Sequence, residues 1–372
     1  MLDTILIKTA SRCNLDCTYC YVYRGADTSW QDQPYRMNDA TIEKVVERIT
    51  EYSLLQVTGF AIVLHGGEPL LLGERRLETL LSGLRRGLNP QKYPISIQTN
   101  GVLITEKILN LCSKYRVSIS VSIDGTRKAN DIARFTRGGN SSFEDVINGI
   151  EKLSSHQDHT FLFAGTLSVI QPNIPAEDTY HYLKSINSPS IDFLFQDGNY
   201  DRMPYGKKDL QTTEYGEWLA KVFELYMEDS NPVPIKILDD ILKIYLGGSP
   251  IKEGKGNNEF GILIIESDGE IRKNDTLRAS FEGVDFFKGR PSVHNTSLME
   301  VVESEEYIIY TKSSSPLSAE CQLCEYKDVC GGGMPLYRWS KTRGFDNPSI
   351  YCADHKIVIS TVKKFLQRSK LL

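Results

Sequence analysis

Near the start of the chain, apolar and polar residues alternate over short runs, and these runs take turns with stretches of longer period. Thr4–Thr9, Gly59–Leu64, Pro94–Thr99, Val117–Ile123, Thr160–Ile170 and Ile191–Phe195 are the β-rich runs. Between them, apolar residues fall at helical spacing. Asn38-Asp39 caps the first such stretch, Ala40–Leu55, which carries Ile42, Val45, Val46 and Ile49 on one face. Leu77–Leu88, Glu106–Tyr115, Phe143–Leu153 and Asp178–Ser185 are the others. Six strands separated by helices predict parallel β/α units with right-handed crossovers. Six units fall short of an eight-stranded barrel, so the expected fold is an α/β, open-sided partial (βα)6 barrel.

Beyond Phe195 the alternation stops. Thr212–Glu228 and Ile235–Tyr245 read as helices, with Gly247-Gly248 as a stop. Gly261–Arg272 reads as a hairpin turning at Asp268-Gly269, and Ile357–Leu366 as the last helix. The expected division is a barrel over 1–210, a helical linker over 211–260 and a cysteine-bearing extension over 261–372.

Composition mainly excludes. The 372 residues are 40% hydrophobic and 24% charged, as in ordinary globular proteins. A net charge of −5 gives no surplus to attract a phosphate backbone, so nucleic acid is not an expected partner. No apolar run approaches the ~20 residues that span a bilayer, and no secretory signal precedes Cys13, so neither membrane association nor export is expected. The expected location is the cytoplasm, where eight mostly clustered cysteines point to metal rather than disulfides. Cys112, the isolated one, sits on a helical pattern and is expected in the core.

Two stretches bear the chemistry of the first half. Cys13-Asn-Leu-Asp-Cys17-Thr-Tyr-Cys20 follows the first strand and can turn three sulfurs toward one centre. Three thiolates suit a cubane cluster with one iron left open; buried or zinc-binding cysteines are the plainer alternative. His65-Gly66-Gly67-Glu68-Pro69 follows the second strand, its glycines allowing close backbone approach and its carboxylate suited to an ammonium group. His65 itself reads as a structural loop residue. In order and spacing the pair resembles the radical S-adenosylmethionine (SAM) enzymes. The resemblance implies that SAM chelates the open iron of a [4Fe–4S] cluster on Cys13, Cys17 and Cys20. It places Gly66, Gly67 and Glu68 on the methionine amine of SAM and yields a 5′-deoxyadenosyl radical once an external one-electron reductant opens the SAM. Gln98, Ser122 and Asp124 at later strand ends offer polar groups to the ribose and carboxylate, and Tyr19 an aromatic to the adenine. Arg134 is the candidate for the SAM carboxylate, in competition with Arg127 and Arg137.

The second cysteine group is Cys321, Cys324, Cys330 and Cys352. Four thiolates close either a cubane or a tetrahedral zinc site. Their spacing resembles the SPASM extension of radical SAM enzymes, which implies an auxiliary [4Fe–4S] cluster. A full SPASM domain carries a further cluster, whose ligand positions here hold Asn274 and Met334. Two clusters are therefore expected in all, one binding SAM and one auxiliary.

Tyr21-Val-Tyr23 with Asp27 and Trp30, Tyr215–Trp218, Asp275–Leu277, Cys330–Arg338 and Gly344–Cys352 resemble the SPASM maturases of ribosomally made precursor peptides, above all the cyclophane-forming branch. That resemblance implies a crosslink between an aromatic ring and a side-chain β-carbon, with Asp275 or Asp197 as candidate base. Epimerisation, thioether formation and formylglycine generation are the alternatives, and a metal-binding, peptide-docking protein is the non-enzymatic one. The expected partner is a precursor peptide. With no fused recognition segment of usual size ahead of the first strand, it is expected at the barrel mouth, at the loop from Asn199 to Tyr205, or on a separate leader-recognition protein.

Overall fold

The computed structural model describes residues 2–250, 254–256, 259, 261–313 and 317–371. The chain forms two compact units, Met1–Ser122 with Arg134–Gly165 and Phe260–Thr311, and Ile123–Ala133 with Thr166–Glu259 and Lys312–Leu372.

In the first unit β1 (Thr4–Ala10), β2 (Ala61–Gly66), β3 (Ile95–Thr99) and β4 (Val117–Ser122) lie side by side and parallel. Helices α1 (Asp39–Leu55), α2 (Glu74–Gly87) and α3 (Glu106–Lys114) make the crossovers, and α4 (Phe143–Ser155) follows β4. The Asn38 side chain accepts from the Thr41 N–H at 2.9 Å, which fixes the start of α1. Ile42, Val45 and Ile49 are buried as the periodicity requires. Val46 is only half-buried and meets α2 at Gly83, where a Cβ would come within 2.8 Å of its methyl. A glycine there lets the two helices pack closely.

Burial alternates strictly along β2, β3 and β4. Parallel strands covered on both faces read as unbroken apolar runs; these do not. Ile62, Leu64, Ile95, Ile97, Val117 and Ile119 are buried, whereas His65, Ser96, Gln98, Ser118, Ser120 and Ser122 form a half-buried polar row. That row is the inner face, and it sets the site. The hairpin of β7 (Ile262–Ile265) and β8 (Ile271–Arg272) extends this same sheet, because β7 pairs parallel with β1.

The strand β5 (Phe163–Val169) enters the second unit at Thr166, from where it pairs in parallel with β6 (Ile191–Leu194). The expected strand from Thr160 begins later, because His159–Leu162 closes a helical turn on the Asp158 carbonyl. Helices α5 (Ala176–Ser185), α6 (Glu214–Glu228), α7 (Lys236–Tyr245) and α8 (Cys352–Arg368) complete it. A Cβ on Gly216 would lie 2.5 Å from the Asp354 Cα, so α6 and α8 touch backbone to backbone. Asp354 accepts from the Gly216 N–H at 2.8 Å and from Lys207 at 2.6 Å. The last helix therefore starts at Cys352, five residues before its apolar periodicity signals it. Among the described residues, no helix is long and apolar enough to cross a membrane.

Candidate active site

The cysteine loop of the first unit is held by the ends of the strands beside it. Parallel pairing continues past β2: the Gly67 N–H donates to the Ala10 carbonyl and the Glu68 N–H to the Arg12 carbonyl, both at 2.9 Å. Gly66 has φ +140°, and a Cβ on it would sit 2.2 Å from the Ala10 oxygen. A Cβ on Gly67 would sit 1.9 Å from the Tyr23 hydroxyl and 2.3 Å from the Arg12 oxygen. The two glycines thus seat the cysteine loop itself; the close approach they allow is to this chain's own backbone. Arg12 then locks the loop from outside, donating to the Trp30 carbonyl at 2.6 Å and the Gln31 carbonyl at 3.1 Å, with its guanidinium 4.9 Å from the Trp30 ring centre. Tyr23 packs edge-on against Trp30 and donates to the Ser11 carbonyl.

Cys13, Cys17 and Cys20 share one electrostatic neighbourhood with Glu68, and burial pushes the Cys13 thiol up to about 12. A metal bound there would have to displace a proton, so its loading would depend on pH. The Leu15 N–H and the Asn100 side-chain amide point at the Cys13 sulfur from 3.4 and 3.6 Å. Glu68 is wholly buried. Its carboxylate accepts from the Leu70 N–H at 3.0 Å, the Thr99 hydroxyl at 2.7 Å and the Asn100 N–H at 2.9 Å. Burial raises its pKa, and these donors together with the Arg134 charge counter the shift. An ammonium group would complete that compensation.

Arg134 donates to the Tyr19 hydroxyl at 2.9 Å, which puts both candidates beside the cysteine loop. Of its competitors, Arg137 donates to the Cys13 carbonyl at 2.6 Å. Gln98 donates to Ser122 at 2.9 Å on the inner polar row. Asp124 belongs to the second unit, where its carboxylate accepts from the Val169 N–H at 3.0 Å and faces the Gln171 amide at 3.4 Å. It ties strand ends together there. His65 is the penultimate residue of β2, not a loop residue, and burial lowers its pKa to about 4, which keeps it neutral. Cys112 is fully buried.

Asp275 lies in a buried ion network of the first unit. Lys8 and Tyr21 donate to its two oxygens, and Arg278 pairs with it at 2.9 Å. Arg278 also reaches Glu266 and Asp285, and Arg272 reaches Asp285 at 3.5 Å. Burial alone would raise the Asp275 carboxyl. The Arg278 and Lys8 charges, with the Lys8 and Tyr21 hydrogen bonds, outweigh burial and hold it well below the usual carboxylate range. With these donors in place it is a weak base. Asp197, half-buried in the second unit, lies near Tyr351.

Cys321, Cys324, Cys330 and Cys352 share one electrostatic neighbourhood in the second unit. Ser318 accepts from the Cys321 N–H, and Gly331, in the left-handed region at φ +63°, ends the Cys330 turn. Among the described residues no three His, Cys, Asp or Glu side chains converge tightly enough for a single metal ion. The donor sets, three thiolates in one group and four in the other, suit cubane clusters by their chemistry. Fully buried Arg338 lies close enough to Cys321 and Cys330 for their charges to act on it. A cation beside a cluster favours its more negative, reduced state. Arg338→Met is therefore expected to lower the auxiliary midpoint potential by about 60 mV, a tenfold change in a one-electron equilibrium. A redox titration followed by electron paramagnetic resonance reads this, and an unchanged potential would remove Arg338 from that role.

Residues 7–185 match the model of the radical SAM superfamily. The chain carries a radical SAM domain. It is 27% identical over 363 residues to a cysteine-type anaerobic sulfatase-maturating enzyme of Clostridium perfringens, covering 95% of this chain and 94% of that protein. The structure of native anSMEcpe with bound AdoMet and Cp18Cys peptide superposes with a TM-score of 0.82 at 24% identity, over 99% of each chain. That of Streptococcus suis SuiB bound to precursor peptide SuiA gives 0.60 at 14% identity, over 90% of this chain and 72% of the other. The fold is thus the partial (βα)6 radical SAM barrel with a SPASM-like extension, and the cofactors are SAM and [4Fe–4S] clusters. Motif reading missed Lys8, Tyr21, Arg278, Thr99, Asn100 and Arg338. Of these, Thr99 and Asn100 directly follow Gln98 at a strand end read for its polar groups, and Tyr21 and Arg338 fall in stretches quoted for the maturase resemblance.

Proposed function

We propose that this enzyme oxidises a residue of a peptide substrate at its β-carbon and joins that carbon to an aromatic ring. Cys13, Cys17 and Cys20 would hold the cluster that binds SAM and, with an external reductant, would supply hydrogen abstraction, while Cys321, Cys324, Cys330 and Cys352 would hold an auxiliary cluster able to accept an electron. The protein's own part is placement. Glu68 and Arg134 hold the charged ends of SAM, Gln98 and Ser122 face its nucleoside, and Tyr19 packs at its base. Asp124 is kept as a nucleoside contact. Proton removal falls to Asp275, once substrate displaces the Tyr21 hydroxyl, or to Asp197.

The observation that favours a crosslink is the pair of positions lacking a thiolate. Asn274 caps a short 3-10 helix, its side chain accepting from the Thr276 N–H, and Met334 lines an apolar cavity. Neither can hold the further cluster that formylglycine-generating maturases usually carry. The specific observation on the other side is the near full-length likeness to sulfatase-maturating enzymes, so serine or cysteine oxidation to formylglycine is the second reading. Both begin at Cβ and remove one further electron and proton.

Co-expression with a candidate peptide, followed by mass spectrometry and hydrazide labelling, separates them. A loss of about 2 Da, two hydrogens, without hydrazide labelling means a crosslink. A hydrazide-reactive product means formylglycine. An unmodified mass while 5′-deoxyadenosine is released would sink both. Asp275→Asn is expected to slow product formation at least tenfold, about 1.4 kcal/mol of barrier, while leaving SAM cleavage in place. A variant that modifies peptide at full rate would leave Asp197 as the candidate.

A further inference from the structure

A cavity of about 200 Å³ lies wholly within the second unit. Phe193, Phe195, Ile237, Tyr337, His355 and Met334 line it, and of these Met334 alone is half-buried. Its walls are aromatic and aliphatic. Its polar end is made by Lys255 and His355, 6% and 4% exposed. The Lys255 ammonium lies 3.3 Å from the His355 Nδ1. An ammonium only donates, so Nδ1 accepts and the neutral ring keeps its hydrogen on Nε2. Burial, with the Lys255 and Lys207 charges, pushes the His355 pKa well down, in keeping with a neutral ring.

Nε2 has no hydrogen-bond partner among the described residues. It faces Gly333, another lining residue, closely enough that a Cβ there would be 3.3 Å away. The Phe195 ring packs against the imidazole at 5.0 Å. A buried N–H left without an acceptor is unfavourable, and a ligand oxygen would relieve that cost. A nearby cation makes an anionic oxygen the best match, and the walls demand an apolar body. The volume equals roughly seven waters at about 30 Å³ each, enough for one aromatic ring on a short acid.

We propose that this cavity binds an aryl or alkyl carboxylate, with the acid on the His355 Nε2–H, a donor strengthened by the Lys255 ammonium on Nδ1, and the apolar body among Phe193, Phe195 and Ile237. The carboxylate can come from a free aromatic acid or from the C-terminal residue of a peptide. The site borders the auxiliary cysteine group, where the Lys255 charge acts on Cys330, and it does not depend on which product forms.

Calorimetry on the cluster-loaded enzyme tests it, with 3-phenylpropionate, 3-phenylpropanamide, a short peptide ending in free phenylalanine and its C-terminal amide as probes. The acid is expected to bind saturably and its amide at least about tenfold more weakly, 1.4 kcal/mol. Met334→Trp, which fills the cavity from its least buried wall, is expected to abolish binding with cluster absorbance intact. His355→Gln keeps a donor and retains affinity, whereas His355→Leu loses it. Tighter binding of the free-acid peptide than of 3-phenylpropionate assigns the site to a peptide terminus, and the reverse assigns it to a free acid. Equal binding of acid and amide, no saturable binding, or an unaffected Met334→Trp variant each overturns the proposal.

Discussion

Gly67→Ala is expected to strip the SAM-binding cluster while sparing the auxiliary one. The new Cβ would lie 1.9 Å from the Tyr23 hydroxyl and 2.3 Å from the Arg12 carbonyl oxygen. Tyr23 could swing aside, but it would lose its bond to the Ser11 carbonyl and its packing on Trp30. The Arg12 carbonyl is backbone, and it already accepts from the Glu68 N–H. The loop carrying Cys13 must therefore move, and a cubane tolerates little displacement of its thiolates. Iron analysis should fall from about eight per chain to about four, and 5′-deoxyadenosine release should vanish. About twelve irons in the unaltered protein would contradict the two-cluster reading. Full iron content and SAM cleavage in the variant would contradict this account of the glycine.

Lys8→Met is expected to destabilise the first unit by about 3–5 kcal/mol, because it leaves a buried acid without its counter-charge. The cations Lys8, Arg272, Arg278 and Arg290 face the acids Glu266, Glu270, Asp275 and Asp285. Removing one cation leaves one acid in excess, and that acid regains neutrality only by taking a proton. Its folded-state pKa then rises above the unfolded value. Such a group contributes stability below its unfolded pKa and loses it as pH rises through the folded pKa. The variant should therefore lie nearer the unaltered protein at pH 5 than at pH 8 in denaturant titrations. Adding Asp275→Asn should recover much of the loss, since it removes the stranded charge. A double variant no more stable than Lys8→Met alone would mean that packing of the lysine stem, not charge balance, is what matters there.

Much of the architecture was legible because its signals are local. Period-two alternation marked the strands, Asn38 marked the start of α1, and C-x3-C-x2-C followed by Gly66-Gly67-Glu68 placed the cysteine loop beside β2. What lay hidden depends on residues far apart in the chain. Lys8 and Asp275 meet across 267 positions, and no local pattern ties a lysine on one strand to an aspartate beyond a hairpin. The same blindness hid the engagement of Asp275 by three donors, which a sequence shows only as a free carboxylate. Gly66 and Gly67 read as room for a ligand, since sequence marks where a Cβ is absent but not which atom needs the space. Asp124 read as a nucleoside contact, and its additional tie to the Val169 N–H, 45 positions away, had no local signal.

The parallel pairing of β7 with β1 has a consequence for how the protein is made. Thr4 to Ile7 pair with Ile262 to Ile265, so one edge of β1 waits for a strand synthesised about 250 residues later. At about 5–20 residues per second that wait is roughly 12–50 s, with an apolar edge exposed on the ribosome. Lys8 has no counter-ion until Glu266 and Asp275 emerge. The nascent chain thus carries this edge of β1 unpaired, and Lys8 uncompensated, until the β7 hairpin and Asp275 emerge.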